Sequence, residues 1–244
     1  MKICVLVMTY KTDLYDHFDR IKRKYLETKD VDYYFLYNGT DNSLSNPKEH
    51  NLNYYSDCSH PSGIPVMWDK FTAFISETTG KYDYVIKVNS STFVNVDKVI
   101  EKIKQHSDKE DLYMGYISDQ QIAFTEHGIH KAGRFVSGAM TIFSDTTLKK
   151  LLEVSNIYKH VPESRKLEDD VLIGLALKTR PKIPHTFLDR FSFECFQKNE
   201  KVVIPPEEVI EEALTYPQIR IRNDNDRDII DKGIWNIIER KLQL

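Results

Sequence analysis

Residues 82–96 read YDYVIKVNSSTFVNV. The run from Tyr84 to Val88 is short, apolar and rich in β-branched residues, as a strand covered on both faces should be. It stops at three small, uncharged polar residues, Asn89, Ser90 and Ser91, and apolar character returns with Phe93 and Val94. Asn95 is then suited to cap a helix that carries Val96, Val99, Ile100 and Ile103. A buried strand, a polar break and a helix in quick succession are one unit of an α/β layer.

The same alternation recurs on both sides. Ile3 to Met8 forms an earlier apolar strand, and Leu14, Phe18, Ile21 and Tyr25 then recur at helical spacing from about Asp13. YYFLY at 33–37 is a second strand, stopped by Asn38-Gly39, and 52–55 a short one after a polar loop. Met67, Phe71, Phe74, Ile75 and Thr78 make the next helical stripe, with Pro65 in its first turn and Gly80 as its stop. On this pattern Trp68 and Phe71 belong to a helix core. LYMGYI at 112–117 is a strand, 119–133 a long polar loop, and 135–143 a strand interrupted by Ser137-Gly138-Ala139. Helices are expected from Ser144 through Leu152 and from Glu168 to Lys178, and from Pro205 onward two more, 207–214 and 227–242, separated by RNDND. Strands alternating with helices predict a mostly parallel sheet, in which ligands bind beyond the carboxyl ends of the strands. Thr9-Tyr10, Asn38-Gly39 and Asn89-Ser90-Ser91 all stand at such ends, although small polar residues also serve wherever a chain turns.

Composition sets the outer limits. The 244 residues are enough for a full α/β core, and the hydrophobic share of 41% with 29% charged residues is that of a soluble globular chain. A net charge of −3 provides no positive field for nucleic acid or an anionic membrane. IKRKY at 21–25 is a local basic patch, expected to be a solvated helix face. Three widely spaced cysteines, Cys4, Cys58 and Cys195, fit neither a disulfide framework nor a zinc site. The first apolar stretch, Ile3 to Met8, is too short for a signal-peptide core or a membrane span. A cytoplasmic protein with no transmembrane segment is the expectation.

Residues 81–95, KYDYVIKVNSSTFVN, resemble the signature of the fringe-like β1,3-glycosyltransferases, a strand ending in Lys-x-Asp-Asp-Asp followed by an aromatic residue, Val and Asn. Two later segments resemble the same family in the same order. FVSGA at 135–139, leading to Ser144, is similar to its Ser-Gly-Gly stretch, and EDDVLIG at 168–174 to its Glu-Asp-Val motif. The resemblance runs from Met1 to about Leu188. It implies a GT-A fold, a Rossmann-like, mostly parallel sheet flanked by helices, here over residues 1–200 with a helical C-terminal extension, 201–244, packed on it. It also implies a nucleotide-sugar donor, usually a uridine diphosphate sugar, and inverting transfer of a hexosyl or N-acetylhexosaminyl group to a hydroxyl of a glycan or glycolipid.

By the motif match Asp170 is the general base that takes the acceptor hydroxyl's proton. Its place in a helix's first turn suits a carboxylate, while its neighbours Glu168 and Asp169 oppose it as like charges. Acidic residues are common at helix starts, so this tripeptide carries weight only beside the other two motifs. Thr9 and Tyr10 are expected to face the nucleotide, together with Lys87, Asn89, Ser90 and Ser91. Ser137, Gly138, Ala139 and Asp169 are expected to border the acceptor, although a tight bend in a strand explains the first three equally well.

The family's Asp-x-Asp element holds Mn²⁺, and this chain has Asn89-Ser90-Ser91 there. Mn²⁺ and Mg²⁺ favour ionised carboxylates, and neutral amide and hydroxyl oxygens replace none of that charge. No metal is therefore assigned to the site. Three outcomes stay open. Cations such as Lys87, Lys131, Arg134, Lys182 or Arg190 stabilise the diphosphate without metal; Asp97 or His185 helps form a displaced metal site; or catalysis is lost and a nucleotide-sugar-binding or scaffold protein remains. Asn and Ser can also donate hydrogen bonds, which ionised Asp cannot, so the trio can meet ribose or phosphate directly.

Overall fold

The computed structural model describes residues 1–10, 12–37, 49–50, 64–118, 135–159, 169–179, 182–184, 186, 192–195, 204–222 and 226–244. In chain order the first elements are β1 (Ile3–Met8), α1 (Asp13–Glu27), β2 (Asp32–Leu36), β3 (Glu49–His50), α2 (Ile64–Thr78) and β4 (Tyr84–Asn89). They are followed by β5 (Thr92–Val94), α3 (Val96–Lys104), β6 (Tyr113–Ser118), β7 (Phe135–Ser144), α4 (Asp145–Lys159) and α5 (Asp169–Thr179). The last are β8 (Ser192–Cys195), α6 (Glu207–Ala213), β9 (Gln218–Ile221) and α7 (Lys232–Lys241), the last entered through a π-helical turn, Arg227–Asp231. The expected strand at 52–55 and loop at 119–133 lie outside the described residues.

The six-stranded sheet has the order β3-β2-β1-β4-β7-β6. β3, β2, β1 and β4 run parallel, whereas β7 is antiparallel to both of its neighbours. Strand alternation divides its side chains between two cores. Ile3, Val5, Val7, Ile86, Val88 and Ile142 pack with residues of α1, α3 and α7, and Cys4, Leu6, Met8, Val85 and Phe143 with residues of α2, α4 and α5. Local signals place the helices. Thr12 accepts from the Tyr15 amide at the start of α1, Asn95 from the Lys98 amide at the start of α3, and Ser144 Oγ from the Thr147 amide before α4.

Two expectations are corrected. The C-terminal segment is not wholly helical: β9 joins β5 and β8 in a second, three-stranded sheet, antiparallel to β5 and parallel to β8. QIRI is too short to announce itself, and its partner Thr92–Val94 lies more than a hundred residues earlier, so only tertiary pairing reveals it. The basic patch at 21–25 is solvated only at Lys24. Lys22 is fully buried, and the Arg23 guanidinium lies 4.3 Å from the centroid of the Phe35 ring while donating to Tyr37 Oη. Its guanidinium and aliphatic stem cover the sheet, as amphipathic side chains do.

The C-terminal helix is integral to the first core. Trp235 is completely buried, stacked on Phe18 at 5.1 Å and edge-on to Phe93 at 5.8 Å. Outside, Glu239 meets Arg20 at 2.6 Å and Lys24 at 2.7 Å, and the Arg20 hydrogen bond, with that from Lys24, holds its carboxyl down at about 2. Trp235→Ala is expected to cost about 3–5 kcal/mol in urea unfolding, the usual range for a buried large aromatic. A loss below about 1 kcal/mol, the range of a surface substitution, would show that α7 merely rests on the fold.

Candidate active site

The site is built where β1, β4 and β7 meet. Register places Met8 beside Asn89 and Val88 beside Met140, which brings Thr9 next to Ser90 and Ala139 next to Asn89. The Ser90 amide donates to Met8 O at 3.0 Å and its hydroxyl to the same oxygen at 2.8 Å. Ser90 is thus turned into the protein. The Ser91 carbonyl accepts from the Ile221 amide at 2.8 Å, which ties the end of the trio to the second sheet. Asn89 is half-buried, and its Oδ1 is shielded from solvent without a hydrogen-bond partner among the described residues. An oxygen in that position asks for a donor.

Lys87 and Asn89 point to the α2/α5 side of β4, two residues apart. Lys87 is 0% exposed; its ammonium lies 2.6 Å from Asp169 Oδ2, an ion contact without hydrogen-bond alignment, and 5.9 Å from the centroid of the Phe71 ring. The next residue, Asp170, is held by backbone amides. Gly138 N–H donates to its Oδ2 at 2.6 Å and Val171 N–H to its Oδ1 at 2.8 Å. A methyl at Gly138 would stand 3.1 Å from Asp170 Oδ2 and Cβ, so a side chain there would displace the Asp170 carboxylate by a few tenths of an ångström. Burial, then the nearby Asp170 and Asp169 charges, push the Tyr113 phenol far up, and it accepts from the Val136 amide at 3.2 Å. Ser137 Oγ accepts from Ala139 N–H at 3.3 Å at the position where the register of β7 against β6 shifts.

On the opposite face of the same edge, Thr9 Oγ1 donates to Asp19 Oδ2 at 2.6 Å, and Lys22 donates to the Ser90 carbonyl. Lys22 and Asp19 are 3.5 Å apart and both fully buried. Burial pushes Lys22 down to about 8 and Asp19 up, each shift opposed by the partner's charge. Sequence reasoning passed over this pair. A signal was present, because Lys22 stands four residues after Phe18 and three before Tyr25, within the buried stripe. Tyr10 is half-buried, with the Lys70 ammonium 5.6 Å from its ring centroid and Tyr15 at 6.2 Å.

Other candidates fall elsewhere. Asp97 is exposed, paired with Lys29 at 2.7 Å at the far end of α1 from Thr12. Lys182 is exposed past the opposite end of α5 from Asp170, about 16 Å along an eleven-residue helix. Trp68 and Phe71 are core residues, as expected. Lys131, Arg134, Glu168, His185 and Arg190 lie outside the described residues. The described part of the edge does not fit a divalent cation: Ser90 is committed inward, Asp169 faces an ammonium, and Asn89 offers one neutral oxygen.

The fold, a mostly parallel sheet flanked by helices, is that of the GT-A glycosyltransferases. The chain belongs to the Fringe-like family, whose model matches residues 3–227; the match continues past Leu188 and takes in β9. Three solved structures share the fold over nearly the whole chain. A glycosyltransferase involved in the glycosylation of the major capsid of PBCV-1 gives a TM-score of 0.53 at 11% identity, covering 96% of this chain and 98% of that one. Mouse xyloside xylosyltransferase 1, in its apo form, gives 0.52 at 8%, covering 94% and 100%. The galactosyltransferase LgtC, in complex with donor and acceptor sugar analogs, gives 0.50 at 13%, covering 99% and 96%. No curated protein sequence matches the chain. Among the described residues no helix is long and apolar enough to cross a membrane.

The Lys87–Asp169 pair can be tested without reference to activity. Asp169→Leu alone leaves a buried, unpaired ammonium and is expected to cost about 3–5 kcal/mol, whereas the double variant Lys87→Met/Asp169→Leu should recover most of that loss. Equal destabilisation by the single and the double variant in urea titrations would show that the pair is not coupled.

Proposed function

We propose that the protein transfers a glycosyl group with inversion from a nucleotide-sugar donor, a uridine diphosphate sugar, to a hydroxyl of a glycan or glycolipid, with Asp170 as general base. The observation that carries this reading is the Asp170 carboxylate. It is held at the start of α5 by the Gly138 amide, at the edge formed by the ends of β1 and β4. A carboxylate in that position is the type of group that takes up a proton in one step when it lies within hydrogen-bond reach of the acceptor hydroxyl. As the acceptor oxygen bonds to the anomeric carbon, its proton passes to Asp170. The bond from that carbon to the diphosphate oxygen breaks on the opposite side, and the electron pair leaves with the diphosphate. Lys87 supports this chemistry from below, because its ammonium answers the charge of Asp169 beside the base.

The donor lies, on this reading, over the ends of β1 and β4, where Tyr10, Asn89 and Ser91 meet it; the hydroxyls of Thr9 and Ser90 are engaged within the protein and support the edge from below. Asn89 Oδ1 accepts from a donor hydroxyl, and its amide group donates to ribose or phosphate oxygen. Tyr10 stacks on the base. Ser137, Gly138 and Ala139 border the acceptor, where small side chains leave room for a sugar ring. Because the trio is neutral and Ser90 is turned inward, no step is assigned to a metal held there; the growing charge on the leaving group falls to hydrogen-bond donors at the edge. The same neutrality favours a second reading, a nucleotide-sugar-binding protein without turnover.

Asp170→Asn separates the two. Loss of a general base is expected to lower the transfer rate by about 10²-fold or more, with uridine diphosphate binding kept. Transfer within about tenfold of the wild type would remove Asp170 from the base role, and a wild type that binds donor without turnover would establish the second reading.

A further inference from the structure

We infer that the buried Asp19–Lys22 pair of α1 is the positioning device of the donor edge, a role that rests on the reading that this edge binds a nucleotide sugar. The pair reaches both neighbouring strand ends from below. Lys22 donates to the carbonyl of Ser90, just past β4, and Asp19 accepts from the hydroxyl of Thr9, just past β1. The Thr9 amide is held in turn by Leu36 O at 3.0 Å, so the end of β2 joins the same frame. The Lys22 ammonium also lies 4.9 Å from the centroid of the Trp235 ring, which closes the network from the C-terminal side.

Stability does not account for this arrangement. Taking two charges out of water costs several kcal/mol per ion, and well-packed apolar residues of similar volume often stabilise a protein as well or better. What the pair supplies is direction. Apolar side chains could fill the space between α1 and the sheet, but they could not fix the Ser90 carbonyl and the Thr9 hydroxyl at once. Fixing that carbonyl sets its peptide plane, and so the direction of the Ser91 amide at the edge. The Thr9 hydroxyl is consumed in this network and the Ser90 hydroxyl by the Met8 carbonyl, which leaves Tyr10, Asn89, Ser91 and backbone groups to meet the ligand. Misplacement of positioning groups by about 1 Å is enough to cost up to about 10²-fold.

The test uses the full chain, with uridine diphosphate as the probe, titrated by calorimetry, and melting temperature measured on every variant. Asp19→Leu/Lys22→Met replaces the pair by apolar residues of similar size; it is expected to melt near the wild type, to weaken uridine diphosphate by at least about tenfold, and to raise the donor KM with a smaller change in kcat. Lys22→Arg, which can still donate to Ser90 O, should recover part of the affinity. Thr9→Val removes one hydroxyl within the same volume and reads the link without breaking the pair, so it carries the test if the double variant does not fold; a loss of about three- to tenfold is expected. If the wild type binds and the folded double variant, or Thr9→Val where the double variant does not fold, binds within about twofold of it, the positioning role is overturned and the proposed function stands. Absence of binding by the wild type overturns the proposed function and this inference with it.

Discussion

An ammonium buried in the middle of a strand has to be answered by a carboxylate, and in this protein that requirement ties α5 to the sheet. Lys87 has no access to water, and Asp169 at the first position of α5 is the anion beside it. Once that contact is made, the next residue, Asp170, is delivered to the Gly138 amide, and the helix start stands over the end of β4. A second buried pair, Asp19–Lys22, grips the same strand end from the other face. The polar break Asn89-Ser90-Ser91 is therefore clamped between two ion pairs brought by α1 and α5.

This arrangement separates holding from binding. Ser90, Thr9, Lys22 and Lys87 are occupied within the protein, whereas Asn89 Oδ1 is shielded yet has no hydrogen-bond partner among the described residues. On the proposed account the edge meets a diphosphate with neutral donors fixed in place. Preorganised hydrogen bonds at the developing charge are an established means of stabilising a leaving group.

Much of the fold could be read from the chain itself. β1, β4, α1 and α3 follow from apolar runs, helical stripes and caps such as Asn95, because those signals are local. β9 could not, since QIRI becomes a strand by pairing with the distant segments Thr92–Val94 and Ser192–Cys195. The buried lysines were legible only in part. Lys87 stood inside an apolar strand, and Lys22 inside a helical stripe, but charge counted alone suggested a solvated face. Asp170 and the trio are candidates singled out by motif, while the inward turn of the Ser90 hydroxyl is a matter of rotamer and register that sequence does not encode locally. Asp97 and Lys182 illustrate the converse, chemically suitable residues that the topology carries elsewhere.

The account turns on whether a neutral strand end takes a charged donor. Calorimetric titration of the wild-type protein with a panel of nucleotide sugars, with Mn²⁺ and again in EDTA, measures this directly. Binding of a uridine diphosphate sugar that is unchanged by EDTA and lost in Asn89→Leu is the expected result. Binding that appears only with Mn²⁺, or no binding by any member of the panel, would contradict it.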